Sequence, residues 1–301
     1  MGIRWTSIAA YAFLIASLLG SSQGHAQDKP ASGDKPAVPA PLVAKPGHAI
    51  GRATFSDGKP IPAFTVVCSG FVGDANRATV TAPATIAHGD AKDGTYDLEV
   101  PAGFAANLSA KTAIEYNGKP YKLELWPTDG KLSLRDGKGI GPDTRPGIVR
   151  DFVAKISGLR PGGDDKSPVL RKLAYYGARI DLGDGGIGNR RLNQDFPKDA
   201  TVVVRLTPRG PLLDGSKGEP IVKRLPLADM GSNAACVLDI PIGLYDAKVA
   251  VAAADGTETP VRVRLSGGPQ EWQAAVALDF PPQGPETALS GAKPAALNLQ
   301  K

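Results

Sequence analysis

Along most of the chain apolar residues recur at every second position. Trp272, Ala274, Val276, Leu278 and Phe280 alternate with small or polar partners, and Val261-Arg-Val-Arg-Leu265 alternates without a break. Tyr96, Leu98 and Val100 do the same against Thr95, Asp97 and Glu99, as do Phe104, Ala106, Leu108 and Ala110. A period of two is the mark of a strand with one wet and one buried face. Turn chemistry falls between these runs: Asp57-Gly58, Asp93-Gly94, Asp214-Gly215 and Asp255-Gly256 supply the positive φ that tight turns require. The segment with Ile148, Val149, Phe152, Val153 and Ile156 fits a helix or a strand. Gly147 and Gly158 bracket it so closely that a strand is the expectation. Short strands, frequent turns and no long amphipathic helix predict an all-β chain built as two antiparallel β-sandwich domains in tandem.

An internal echo supports the count of two. Val100-Pro-Ala-Gly-Phe104 returns as Ile240-Pro-Ile-Gly-Leu244, each at the end of a strand and before another alternating run. The first sandwich is expected over residues 47–157, a Gly/Pro/Asp-rich linker over 158–171 and the second sandwich over 172–280, with a loop at 183–195 inside it. The Pro-, Ala- and Lys-rich stretch 27–46 predicts a semi-stiff tether, and 281–301, similar in makeup, a disordered tail. Residues 1–26 have the layout of a signal peptide: one charge at Arg4, an apolar run from Ile8 to Leu19, then small residues at Gly24 and Ala26. The expectation is an exported protein, periplasmic or extracellular, beginning at Gln27, with no transmembrane anchor left after cleavage. The apolar run is shorter than the roughly 20 residues a membrane span takes.

Gly51-Arg-Ala-Thr-Phe-Ser-Asp-Gly-Lys-Pro-Ile-Pro-Ala-Phe-Thr-Val-Val67, followed by Asp93-Gly-Thr-Tyr-Asp-Leu-Glu-Val-Pro-Ala-Gly103, resembles the carboxypeptidase regulatory-like domain. The resemblance covers about residues 49–126. It implies a transthyretin-like or carbohydrate-binding-like sandwich for the first unit. The second unit shares only the corner Pro241-Ile-Gly-Leu-Tyr245. These motifs describe turns and core positions, so the resemblance transfers no catalytic residue.

Composition narrows the chemistry. The 301 residues include 36 Gly and 27 Pro, about a fifth of the chain, which excludes a long-helix protein. Lys and Arg number 35 against 30 Asp and Glu, a net charge of +5 spread along the chain, so no nucleic-acid partner is expected. A hydrolytic zinc site needs about three protein ligands. After the leader only His48 and His88 remain, neither with a carboxylate at helical spacing, and His88-Gly-Asp90 reads as a solvated turn. No G-x-S-x-G elbow is present. Cys68 alternates in phase with Phe64 and Val66, and Cys236 with Leu238 and Ile240, so both are expected as buried free thiols in separate cores, without a disulfide. Asp181, Asp184 and Asn189 in the Gly-rich stretch are the weak candidates for calcium, set against an ordinary loop because the spacing misses the known calcium-loop patterns.

Aromatics carry the remaining signal. Tyr121, Leu123 and Leu125 read as core, which sets Lys122, Glu124 and Trp126 on the opposite face. An indole beside charged side chains is a contact platform unless a loop or the second domain covers it. The sequence therefore points to a non-enzymatic exported binding or structural module without cofactors. Its expected partner is an envelope protein or a polysaccharide, met through Trp126, Lys122 and Glu124. The alternative is an accessory or regulatory protein for a peptidase or another envelope enzyme.

Overall fold

The first repeat consists of β1 (His48–Phe55), β2 (Phe64–Ser69), β3 (Thr85–His88), β4 (Thr95–Glu99), β5 (Asn107–Tyr116), β6 (Lys119–Pro127), β7 (Ile148–Val149) and β8 (Phe152–Ala154). The second comprises β9 (Ala178–Asp184), β10 (Thr201–Pro208), β11 (Ile221–Pro226), β12 (Cys236–Ile240), β13 (Tyr245–Ala252), β14 (Glu258–Leu265), β15 (Val276–Leu278) and β16 (Ala295–Gln300). This computed structural model describes residues 40–69, 85–89, 92–100, 102–103, 107–131, 134, 141–167, 170–184, 192–232, 235–268, 271–282 and 292–301. The expected signal peptide and most of the expected tether lie outside them. Among the described residues no helix is long and apolar enough to cross a membrane.

The protein is all-β, with two β-sheet domains in tandem, and their strand orders correspond step for step. The first sheet runs β3-β2-β5-β6-β8-β1-β4, with β7 beside β1. The second runs β11-β10-β13-β14-β16-β9-β12, with β15 beside β13. Each sheet rolls until its ends approach. Phe64 on β2 meets Tyr96 on β4 edge-to-face at 6.2 Å, and β11 and β12 line one small cavity through Leu225 and Val237. Alternation places Ala49, Val66, Leu98, Leu108, Leu123 and Phe152 in the first core and Ile180, Val204, Val249, Val263, Leu297 and Leu299 in the second.

Two expectations need correction. The sheets are mixed rather than antiparallel: β1 runs parallel to β7 and β8, and β9 runs parallel to β16, pairing Leu182 with Leu297. Pairing direction is set by how the chain returns, which a period of two does not encode. Nor is 281–301 a disordered tail throughout, because Ala295–Gln300 forms β16, a central strand between β14 and β9. Ala295, Leu297 and Leu299 are its buried positions, and the second domain therefore extends past residue 280. Within the 148–156 segment the chain is strand over Ile148–Val149 and Phe152–Ala154, as β7 and β8, interrupted at Arg150-Asp151.

Local chemistry explains the turns. In each Asp-Gly turn the Asp carboxylate accepts the N–H two residues on, from Lys59, Thr95, Ser216 and Thr257 at 2.8–3.1 Å. Gly94 also lies so close to the Ala53 carbonyl that a Cβ would meet it at 2.5 Å. The β5–β6 hairpin turns at Asn117-Gly118, both at positive φ, the requirement of a two-residue loop matching strand twist.

That hairpin also joins the repeats. The Tyr116 hydroxyl donates to the Pro211 carbonyl at 2.9 Å and accepts the Leu244 N–H at 3.2 Å. The Tyr121 hydroxyl, on a buried ring, donates to the Phe280 carbonyl at 2.7 Å, and Lys119 pairs with Asp279 at 2.6 Å. The expected linker 158–171 doubles back rather than running free: Arg160 N–H donates to the Ala174 carbonyl at 2.8 Å and Tyr176 N–H to the Gly158 carbonyl at 2.9 Å.

Candidate functional site

Strand β6 carries Lys122, Glu124 and Trp126, the residues that the sequence singles out, with β5 and β2 beside it. Register sets Thr65 across from Lys111, Lys111 across from Glu124 and Ala113 across from Lys122, all on the outward face. Between them lies an open groove of about 530 Å³, lined also by Phe64 and Gly89. Gly89 is required there, because a Cβ would fall 1.9 Å from the Phe64 ring. A second hollow, of about 280 Å³, shares Lys111 and Glu124 and extends to Trp126. Lys122 is exposed and Glu124 half-buried, so this face offers two ammonium groups, a carboxylate and a small-residue floor at Ala113.

The structure brings Lys122 and Glu124 together in the groove but gives Trp126 other company. Its indole is half-buried and meets the Tyr176 ring edge-to-face at 5.0 Å. The Arg160 guanidinium lies 5.7 Å from both rings, and Lys155 sits 5.4 Å from the Tyr176 ring. Tyr176 and Arg160 are both buried. Of the two readings open for Trp126, the covered one describes its surroundings, since Tyr176 and Arg160 lie against the half-buried ring. Burial pushes the Tyr176 phenol up to about 12.

The remaining candidates separate. Cys68 and Cys236 are free and buried, one in each repeat. Burial pushes the Cys68 thiol up to about 11 and that of Cys236 upward as well, so neither is a thiolate nucleophile at neutral pH. Asp181 is paired with Arg179 at 3.0 Å, which neutralises it, and the backbone of Asp184 belongs to β9. Asn189 lies outside the described residues. Among the described residues no group of three or more His, Cys, Asp or Glu could hold a metal ion. His48 contacts Asp97 at 2.5 Å beside Lys45 at 2.8 Å. Hydrogen bonding from Lys45 holds the Asp97 carboxyl below the usual carboxylate range. His88 stands across from Thr65 in β3, and Asp90 is outside the described residues.

The sequence reading passed over a second surface. Trp272, expected as a core position, is only half-buried and lies beneath the Arg264 guanidinium at 4.5 Å, because β15 begins at Val276. Glu258 bridges Arg205 at 2.7 Å and Arg224 at 3.9 Å, and the Arg205 hydrogen bond holds its carboxyl below the usual range. The available signal was the identity of the polar residues in Val261-Arg-Val-Arg-Leu265, read for period rather than for charge.

No family model and no curated protein matches the chain. Among solved structures it is similar to a streptococcal ancillary pilin at 10% identity, covering 84% of this chain and 69% of that one, with a TM-score of 0.25. It is also similar to the major pilin from Streptococcus pyogenes (11% identity, 86% and 99% covered, TM-score 0.20). A third likeness is to the C-terminal fragment of the pilus adhesin SpaC from Lactobacillus rhamnosus GG (9% identity, 84% and 96% covered, TM-score 0.23).

Proposed function

We propose that the chain is a non-enzymatic exported binding module that recognises a surface protein or polysaccharide through the outward groove of its first repeat. The observation carrying this reading is the groove itself, where Lys111, Lys122 and Glu124 converge over Ala113 on a sheet whose other face is core. Charged groups fixed by strand register are positioned without any loop rearrangement, which favours recognition over chemistry. In the same repeat burial pushes the Cys68 thiol up, and among the described residues no group of three or more His, Cys, Asp or Glu could hold a metal ion. A kinship of residues 49–126 with carboxypeptidase regulatory-like domains belongs to the same proposal. It is supported by the way the Asp57-Gly58 and Asp93-Gly94 turns converge, with Ala53 N–H donating to the Gly94 carbonyl at 2.8 Å. The test is retention of envelope components on the immobilised chain, compared with Lys111→Ala/Lys122→Ala. Loss of a specific partner in the double variant is expected. Identical retention by both proteins overturns the assignment of the groove.

A further inference from the structure

The outward face of the second repeat is dominated by cations. Arg205 on β10, Arg224 on β11, Lys248 on β13 and Arg262 and Arg264 on β14 all point away from the core. Register confirms that they share a face. Lys248 stands directly across from Arg205, Arg224 across from Val203, and Arg262 and Arg264 across from the outward Gln300 and Asn298. Among the described residues these strands contribute two outward carboxylates. Glu258 is shared by Arg205 and Arg224, and Asp246 lies 3.7 Å from Arg209. Between the charges Val203 and Ala250 also face outward yet are buried, so the charged heads stand over an apolar floor that strengthens their field.

We propose that this face binds an acidic polysaccharide, an extended carboxylate-bearing glycan lying across β11, β10, β13 and β14 with its end at Trp272. Three features select that ligand. Arg205 and Lys248 stand directly opposite on neighbouring strands, whose backbones lie about 4.8 Å apart, comparable with one pyranose ring, and Arg224 follows two residues along on the next strand, a row that suits a polymer with regularly placed carboxylates. Lys248 stands directly across from Arg205, whose charge Glu258 shares with Arg224, so one carboxylate serves three cations and an incoming anion relieves the remaining like-charge repulsion. The half-buried Trp272 ring, fixed under Arg264, adds an aromatic edge for a sugar, and a chain exported as proposed above meets glycans rather than nucleic acid. The proposal rests on the reading of the chain as an exported binding module but uses a surface separate from the first-repeat groove.

Affinity electrophoresis of the full chain through gels containing polygalacturonate, uncharged dextran or duplex DNA tests it. Retardation by polygalacturonate that fades with added salt, with none in dextran and less in DNA, is the expected result. Lys248→Gln and Arg262→Gln should each weaken binding by about threefold. The double reversal Lys248→Glu/Arg262→Glu should weaken it by at least about tenfold with an unchanged circular dichroism spectrum. Lys59→Gln, at an exposed lysine outside both surfaces, should leave it intact, and Lys111→Glu/Lys122→Glu reads the groove separately. No retardation by polygalacturonate, equal retardation by dextran or by DNA, or insensitivity to the reversal overturns the proposal. Loss of polygalacturonate binding only in the groove variant overturns it too, in favour of the first repeat.

Discussion

In the first repeat the outward face sets Lys111 against Glu124 across β5 and β6 and closes at Trp126 under Tyr176. In the second the corresponding face carries Arg205, Arg224, Lys248, Arg262 and Arg264. Both are built on one strand order, so the difference cannot come from the fold. Inward positions are held by packing, since each must fill a core at near-crystal density. Outward positions carry no such constraint, and there one repeat has become charge-balanced and partly covered while the other is basic and open. Two copies of an architecture thus divide their labour in the residues that contribute least to stability.

The deepest test of the correspondence lies in the paired last strands. Phe152→Ala in β8 and Leu297→Ala in β16 both empty fully buried positions, and each should lower stability by about 2–5 kcal/mol in urea titration. An effect below about 1 kcal/mol for Leu297→Ala would separate β16 from the core and break the equivalence. The two tryptophans come next. Trp126→Ala removes an edge-to-face ring contact and a guanidinium neighbour, and should cost about 2 kcal/mol. Trp272→Ala should cost less than about 1 kcal/mol, and equal losses would show that both rings serve packing. At the joint, Tyr121→Phe leaves the Phe280 carbonyl without its donor and should cost about 1 kcal/mol. Calorimetry should then show the single transition broadening as the repeats uncouple, and an unaltered endotherm would argue against a shared joint.

The smallest effect is acid dependence. Thr95 holds Asp93 below the usual carboxylate range by side-chain hydrogen bonding, Lys45 does so for Asp97, the Thr257 N–H for Asp255 and Arg205 for Glu258. A carboxylate depressed on folding contributes stability that is present above its unfolded pKa and lost as pH falls through the folded one. Melting temperature should therefore be level above about pH 5 and decline gently below about pH 4, because all four groups are solvated. A decline that begins near neutral pH would implicate a different group.

Much of this was legible in the chain, and the exceptions have physical reasons. The Asp-Gly turns and most of the alternating core positions are local, set by residues two or three apart, and the sequence reading placed them well, except that Cys236, expected in phase with the core, stands across from Asp181 while its neighbour Val237 meets Ile180. Strand β16 was missed because Ala295, Leu297 and Leu299 offer a short alternation inside Pro- and Ala-rich surroundings, and its partner β9 lies far away in sequence. Trp126 was assigned to the right face, but period alone cannot say what packs on that face, and the segment bearing Tyr176 arrives from a different part of the chain. The basic face went unremarked because Arg205, Arg224, Lys248 and Arg262 are scattered along the sequence and meet only through register.

The parallel pairing of each repeat's first and last strands has a mechanical consequence. Because β1 lies beside β8 and β9 beside β16, running the same way, the chain enters a repeat at one pole and leaves it at the other. Tension between entry and exit drags the two strands lengthwise past each other. Their slanted ladder hydrogen bonds are then loaded together rather than peeled one at a time. A protein pulled between two anchorages would thus meet its greatest resistance along the axis on which its own termini apply the force.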